Sequence, residues 1–216
     1  MKAIEAILDA IYPRKCAFCH KKMGKEEGLL CADCEKSLPY AGKDSGRRVP
    51  FTSRCWSPLF YEGDVRDSLH RFKFGGLNMY AAPYANLMHS RCAGALAGVD
   101  LISWVPLSRA RLRTRGYDQA HLLAAELAER AQLPCVKTLK KIKNVKPQSR
   151  TGAFESRQKN IRGAYTVTDA EAIKGKNILL VDDIITTGAT ISECAATLLE
   201  AGAKQITGMT VARRKD

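Results

Sequence analysis

The sequence predicts an α/β fold: a mostly parallel sheet with helices on both faces, preceded by a small module held by cysteines. Three observations carry the prediction. Ile178 to Val181 is an unbroken β-rich apolar run, followed by Asp182, Asp183 and a small-residue turn, Thr186-Thr-Gly-Ala-Thr190. Such runs mark strands buried on both faces of a parallel sheet. Leu101 to Val105 repeats the pattern ahead of a turn and a further helical stretch. Cys16, Cys19, Cys31 and Cys34 form C-x2-C-x11-C-x2-C in a segment too short to bury a core of its own.

Of 216 residues, 45% are apolar, enough for a proper core in one domain or in a small module plus a larger domain. No apolar run approaches the roughly 18–20 residues of a membrane span. Glu5 and Asp9 fall where the apolar core of a signal peptide would lie. A cytoplasmic chain without membrane insertion is expected. The 35 basic and 22 acidic residues leave a formal charge of +13, which suits a polyanionic partner without naming one; a solvated basic face is the plainer account.

From the N-terminus, Ile4, Ile7, Leu8 and Ile11 recur at helical spacing until Pro13, predicting a short amphipathic helix. The cysteine knuckles follow. In a reducing cytoplasm thiols stay free, so Cys16, Cys19, Cys31 and Cys34 predict a four-thiolate site for structural Zn2+. Two disulfides are the rival reading. His20 is a bystander, because four thiolates already complete a tetrahedron. Residues 40–51 mix Gly42, Gly46, Pro50 and cations without periodicity, which marks a linker. It divides the chain into residues 1–45, the N-terminal helix and zinc-binding module, and residues 46–216, the larger domain.

Cys55 to Tyr61 is apolar and aromatic, and Asp64 is placed to cap a helix carrying Val65, Leu69 and Phe72 as far as Gly75. Cys55 has no second cysteine near it and reads as a buried thiol beside Trp56. Asn78 to Cys92 predicts a helix with Tyr80, Tyr84, Leu87 and Met88 on its apolar face. After the strand Leu101 to Val105, arginines at 109, 111, 113 and 115 suit a second phosphate-binding loop or a merely solvated basic one. A helix from about Asp118 to Ala131, strands at Cys135 to Leu139 and Ala164 to Thr168, a helix at Ile191 to Leu199 and a last strand at Gln205 to Val211 complete the order. Between 137 and 162 lie nine Lys or Arg and a single acid, Glu155. A loop of that length in a compact domain is functional or mobile. Phe154, amid those cations, suits base stacking or anchorage to the core.

The chemistry concentrates where the strand from Ile178 ends, because ligands of open α/β sheets bind outside the carboxyl ends of the strands. Thr186 to Thr190 offers three hydroxyls, a glycine able to take positive φ and the unpaired N–H groups of a helix start, all of which suit a phosphate. Asp182 and Asp183 would repel that phosphate. They suit a neutral diol, such as a ribose 2′,3′ pair, or a divalent cation. An ordinary strand–helix turn explains one threonine and the glycine but not the acidic pair. Neither Gly-x4-Gly-Lys-Ser/Thr nor Gly-x-Gly-x-x-Gly occurs, so P-loop hydrolysis and dinucleotide binding are unsupported.

Val181-Asp-Asp-Ile-Ile-Thr-Thr-Gly-Ala-Thr190 resembles the phosphoribosyl pyrophosphate (PRPP) loop of type I phosphoribosyltransferases. The resemblance implies that Asp182 and Asp183 hold the ribose hydroxyls and that Thr186, Thr187, Gly188, Ala189 and Thr190 wrap the 5′-phosphate. It implies that Val105, Pro106, Leu107 and Ser108 bind pyrophosphate, which Mg2+ accompanies, and that the basic loop after residue 140 closes over PRPP. More narrowly, Trp104-Val-Pro-Leu107, Arg115-Gly-Tyr-Asp-Gln-Ala120, Cys55-Trp-Ser-Pro-Leu59, Tyr61, Phe72-Lys-Phe74 and the cysteine knuckles are similar to the ComF competence-protein family across nearly the whole chain. That family joins a zinc module to a phosphoribosyltransferase-like domain. The resemblance implies a PRPP-binding protein of natural transformation, with single-stranded DNA and other competence proteins as further partners. The alternative is a salvage phosphoribosyltransferase that transfers ribose 5-phosphate from PRPP to a nitrogenous base; a binding module without chemistry is a third reading. No catalytic residue is assigned, because Mg2+ and cationic side chains carry most of the work in such transfers. Asp118 stands where Arg-Gly-Tyr-Asn-Gln is expected, which puts an amide-specific role there in doubt.

Overall fold

A computed structural model describes residues 15–24, 28–42, 46–142 and 163–215. The expected helix at Ile4 to Ile11, most of the basic segment after Ile142, and Phe154 lie outside the described residues.

The sheet is parallel throughout. β1 (Cys55–Trp56) and β2 (Leu59–Phe60) both pair with β7 (Gln205–Arg213), β7 pairs with β6 (Asn177–Ile185), and β6 pairs with β3 (Leu101–Trp104). A separate antiparallel ribbon joins β4 (Leu139–Lys141) to β5 (Tyr165–Val167). Side chains alternate along a strand, and β6 uses both sides. Ile178 and Leu180 enter one core with α6 (Ala189–Glu200), while Leu179 and Val181 enter another beneath α3 (Ala81–Arg91) and α5 (Gln119–Ala131). Each such side chain, once fully buried, contributes about 1.5–3 kcal/mol. Tyr80, Tyr84, Leu87 and Met88 are all buried, as their spacing predicts.

The cysteine module does not stand apart from this core. Phe18, between two knuckle cysteines, meets Tyr84 edge-on with ring centroids 5.5 Å apart. Ser68 and Arg71 of α2 (Gly63–Phe74) donate to the carbonyls of Ala17 and Phe18, so the knuckle backbone is bonded to the helix beneath it.

Several local expectations are corrected. Glu62, not Asp64, precedes α2, and no side chain caps it. Residues 40–51 are more than a linker: Tyr40 bridges Leu59 and Arg47 bridges Cys55. Cys135 makes a single bridge to Ile102 before the chain leaves the sheet for the β4–β5 ribbon. The arginines form a helix, α4 (Arg109–Arg115), rather than a loop. Ser108 caps it at the start and Gly116, at φ 81°, closes it. Finally, β6 does not stop at the aspartates but runs to Ile185, because β7 continues beside it. Gly208 within β7 has a packing reason: a Cβ there would lie 2.8 Å from Sγ of Cys55, the buried thiol opposite it in β1.

Candidate functional site

The four knuckle sulfurs lie within 4.8 Å of one another. Sγ of Cys19 and Sγ of Cys31 are 3.7 Å apart. The edge of a tetrahedron with Zn–S bonds of about 2.3 Å is roughly 3.8 Å, whereas a disulfide needs about 2.0 Å. All the cysteines are free, which removes the disulfide reading. α1 (Ala32–Ser37) starts at the second knuckle, and the N–H groups of Cys31 and Cys34 approach Sγ of Cys16 and Cys31, each at 3.5 Å. Burial pushes the Cys16 thiol up, but backbone N–H groups led by that of Cys31 outweigh it and bring it down to about 7. Burial and the three neighbouring sulfurs push Cys34 up, a crowding that a dication relieves. The donor set fits a closed, structural Zn2+ site.

The second site forms because β6 outruns β3. Pro106 has no N–H with which to extend β3, so beyond Val181 the ladder continues on the β7 side alone. On the open side lies a pocket of about 140 Å³ that gathers Asp182, Asp183 and Thr190 with the cations Lys73, Arg111, Arg115 and Lys141. The two carboxylates diverge, as consecutive strand residues must. Asp183 Oδ1 lies 2.9 Å from Nζ of Lys73, at the end of α2. Asp182 faces the side of Lys141, Tyr165 and Cys194, each of whose ionisation feels its charge. Burial, then the charge of Asp183, pushes the Asp182 carboxyl up to about 8. Helical spacing sorts the arginines: Arg111 and Arg115, one turn apart, share this pocket. Arg115 also bonds Gln119 at 2.8 Å and lies over the Phe74 ring at 4.9 Å.

Gly188, at φ 81°, starts α6, so its predicted backbone freedom is used. Ser192 N–H bonds back to Gly188 O at 2.8 Å; amides ahead of it in the first turn have no intrahelical acceptor. Thr190, Val105, Pro106 and Leu107 line the pocket with the aspartates. Thr186, Thr187, Gly188 and Ala189 form the turn leading to it rather than its wall. Ser108 is buried and is occupied in accepting Arg111 N–H at 3.4 Å. Leu107 N–H is held by Asp118 Oδ2 at 3.0 Å. Sequence reasoning missed Lys73 and Tyr165. Neither had a local signal beyond its place in Phe72-Lys-Phe74 and in an edge strand.

Across the 105–107 loop lies a larger cleft of about 610 Å³, lined by Trp104, Leu112 and Leu122 together with Arg109, Lys137 and Lys140. The His121 ring rests on Trp104 at 4.4 Å. Pro106, Leu107, Asp118 and Lys141 border both cavities.

Comparison with known proteins agrees with this architecture. A phosphoribosyl transferase domain model matches residues 112–216, and a double zinc ribbon domain model matches residues 7–49. Competence protein F of Haemophilus influenzae is 27% identical, over 89% of this chain and 93% of that protein. Competence protein ComFC of Bacillus subtilis is 28% identical, over 92% of this chain and 83% of that one. The chain thus joins a zinc ribbon region to a phosphoribosyl transferase domain, and its relatives include competence proteins. DNA utilization protein YhgH of Escherichia coli K12 is 26% identical, over 88% and 86% of the two chains. Among solved structures, glutamine PRPP amidotransferase from B. subtilis has 20% identity and a TM-score of 0.43, covering 61% of this chain and 26% of that one. The chain therefore spans about a quarter of that structure.

Two features qualify the resemblance. The ribbon model is a double one, yet the described residues hold one four-sulfur cluster. The departure at Asp118 has a structural role: its two oxygens accept from Leu107 N–H and, at 3.4 Å, from His121 N–H. An amide would bring a single acceptor oxygen to that position.

Proposed function

We propose that the chain binds PRPP, with the 5′-phosphate in the Thr186 to Thr190 turn, the ribose diol at Asp182 and Asp183, and the pyrophosphate, with Mg2+, at Val105 to Ser108. One observation carries this reading: Asp182 and Asp183, with Asp118 taken up by backbone N–H groups, share one pocket of about 140 Å³ with four cations beside a phosphate-suited helix start. A simple polyanion would meet the carboxylates, and a bare metal ion would meet the cations. A ligand that is strongly anionic at both ends and carries neutral hydroxyls between them satisfies the whole set. Mg2+ on the pyrophosphate would supply further charge neutralisation, while Lys73, Arg111, Arg115 and Lys141 are this chain's own means of stabilising it. The same groups would serve transfer of ribose 5-phosphate to a nitrogenous base, the alternative outcome of binding. In this reading residues 1–45 are the zinc module and 46–216 the phosphoribosyltransferase-like domain, working in the cytoplasm, where thiols stay reduced. Calorimetric titration with PRPP and Mg2+ tests it. Saturable binding is expected, weakened about tenfold or more by Arg115→Ala; heats equal to dilution reject it.

A second reading concerns the larger cleft, whose mixed apolar and basic lining suits single-stranded DNA. It is supported by the names of two relatives, a competence protein and a DNA utilization protein. Bases would stack on its apolar residues while Arg109, Lys137 and Lys140 meet phosphates, giving a role in natural transformation with other competence proteins. Affinity should then fall with salt at a log–log slope of about −0.7 per phosphate contacted, and Lys137→Ala with Lys140→Ala should flatten it. Absence of binding at ~50 mM salt removes direct DNA contact.

A further inference from the structure

We propose that Arg47 is a positioning residue that aims the phosphate-binding turn from outside the matched phosphoribosyl transferase segment. The inference rests on the phosphoribosyl reading above and adds a residue to it. Arg47 has a rigid base: its N–H donates to Cys55 O at 2.8 Å and its carbonyl accepts from Cys55 N–H at 2.9 Å. Cys55 is locked in β1 against Gly208 of β7. From that base the guanidinium Nη1 reaches Thr186 O at 2.8 Å, a contact between residues 139 apart in sequence. Two residues further, buried Val49 presses on the other end of the same turn. A Cβ on Gly188 would stand 3.2 Å from each of its methyl groups. The arm thus fixes the turn at both Thr186 and Gly188.

The direction of one peptide follows. The peptide bonds of the described residues are trans, and in a planar trans peptide the C=O and the following N–H point opposite ways. With Thr186 C=O pinned toward Arg47, Thr187 N–H is turned away from the arm, and a 5′-phosphate seated on the first amides of α6 would take it as a further donor. Without the guanidinium the unit can flip, and a carbonyl oxygen would then face the phosphate where a donor is needed. Arg47 acts through Thr187 rather than by contact with a reacting atom.

The test titrates full-length protein with ribose 5-phosphate and, separately, with pyrophosphate and Mg2+. Arg47→Ala should weaken ribose 5-phosphate about tenfold or more, the scale of one hydrogen bond to a charged group, while changing pyrophosphate less than about twofold. Arg47→Lys, the milder variant and the decisive one should Arg47→Ala fail to fold, should lie between them, since one ammonium can still donate to the carbonyl. Equal loss of both ligands, or no loss of either, overturns the positioning role while PRPP binding by the parent stands. A parent that binds pyrophosphate but not ribose 5-phosphate overturns the placement of the 5′-phosphate and this inference together.

Discussion

Lys73 holds Asp183 at 2.9 Å with only 19% and 13% of the two side chains exposed, which joins the last turn of α2 to the end of β6. Removing one member of so buried a pair leaves the other charge poorly solvated. Lys73→Ala should destabilise the chain by about 2–4 kcal/mol in urea, and adding Asp183→Asn should recover much of that loss. If the two substitutions simply add, the residues are not coupled and the contact is not energetically real.

The zinc module shares its core with the larger unit, since Phe18 packs on Tyr84 and Ser68 bonds Ala17. Zinc should copurify at one ion per chain, and Cys16→Ser should lower the melting temperature of the whole cooperative transition, not only that of the knuckles. Elemental analysis without zinc would defeat the metal assignment. Unchanged near-ultraviolet dichroism after chelation would defeat the coupling.

Burial and the neighbouring Asp183 charge raise the Asp182 carboxyl from its usual 3.8 to about 8. Between those values the native chain keeps a proton that the unfolded chain has lost. Stability should therefore fall as pH rises from about 4 to about 8 and level off above. Asp182→Asn removes the titration, so the variant should gain on the parent by more than about 1 kcal/mol between pH 5 and pH 8. Parallel pH profiles for the two proteins would show that Asp182 ionises freely.

Much of this architecture was legible because it repeats with a short period. The run Ile178 to Val181 reads as a doubly buried strand, Tyr80, Tyr84 and the pair Leu87 and Met88 recur about one helical turn apart, and the knuckle spacing states its own geometry. What escaped has no period. Arginines at every second position imitate a strand or loop, yet Ser108 and Gly116 close them into a helix that separates Arg109 from Arg111 and Arg115. The aspartates looked like a strand end because apolar residues stop there, while the ladder to β7 continues through backbone groups that carry no sequence signature. Lys73 and Arg47 reach the site only through tertiary contacts. One cation among several in a helix and a cation in a glycine-containing stretch gave no reason to expect either.

The central claim is that Asp182 and Asp183 hold the sugar of a doubly phosphorylated ligand, and thermal unfolding with and without PRPP and Mg2+ tests it most directly. A ligand confined to the folded state stabilises by about 2.7 kcal/mol at one hundred times its Kd, which for a chain of this size is a shift of roughly 5–10 °C. The parent should show that shift, ribose 5-phosphate should produce a smaller one, and Asp182→Asn with Asp183→Asn should abolish it, judged against the variant's own unliganded melting temperature. A double variant that responds to PRPP as the parent does would contradict the account.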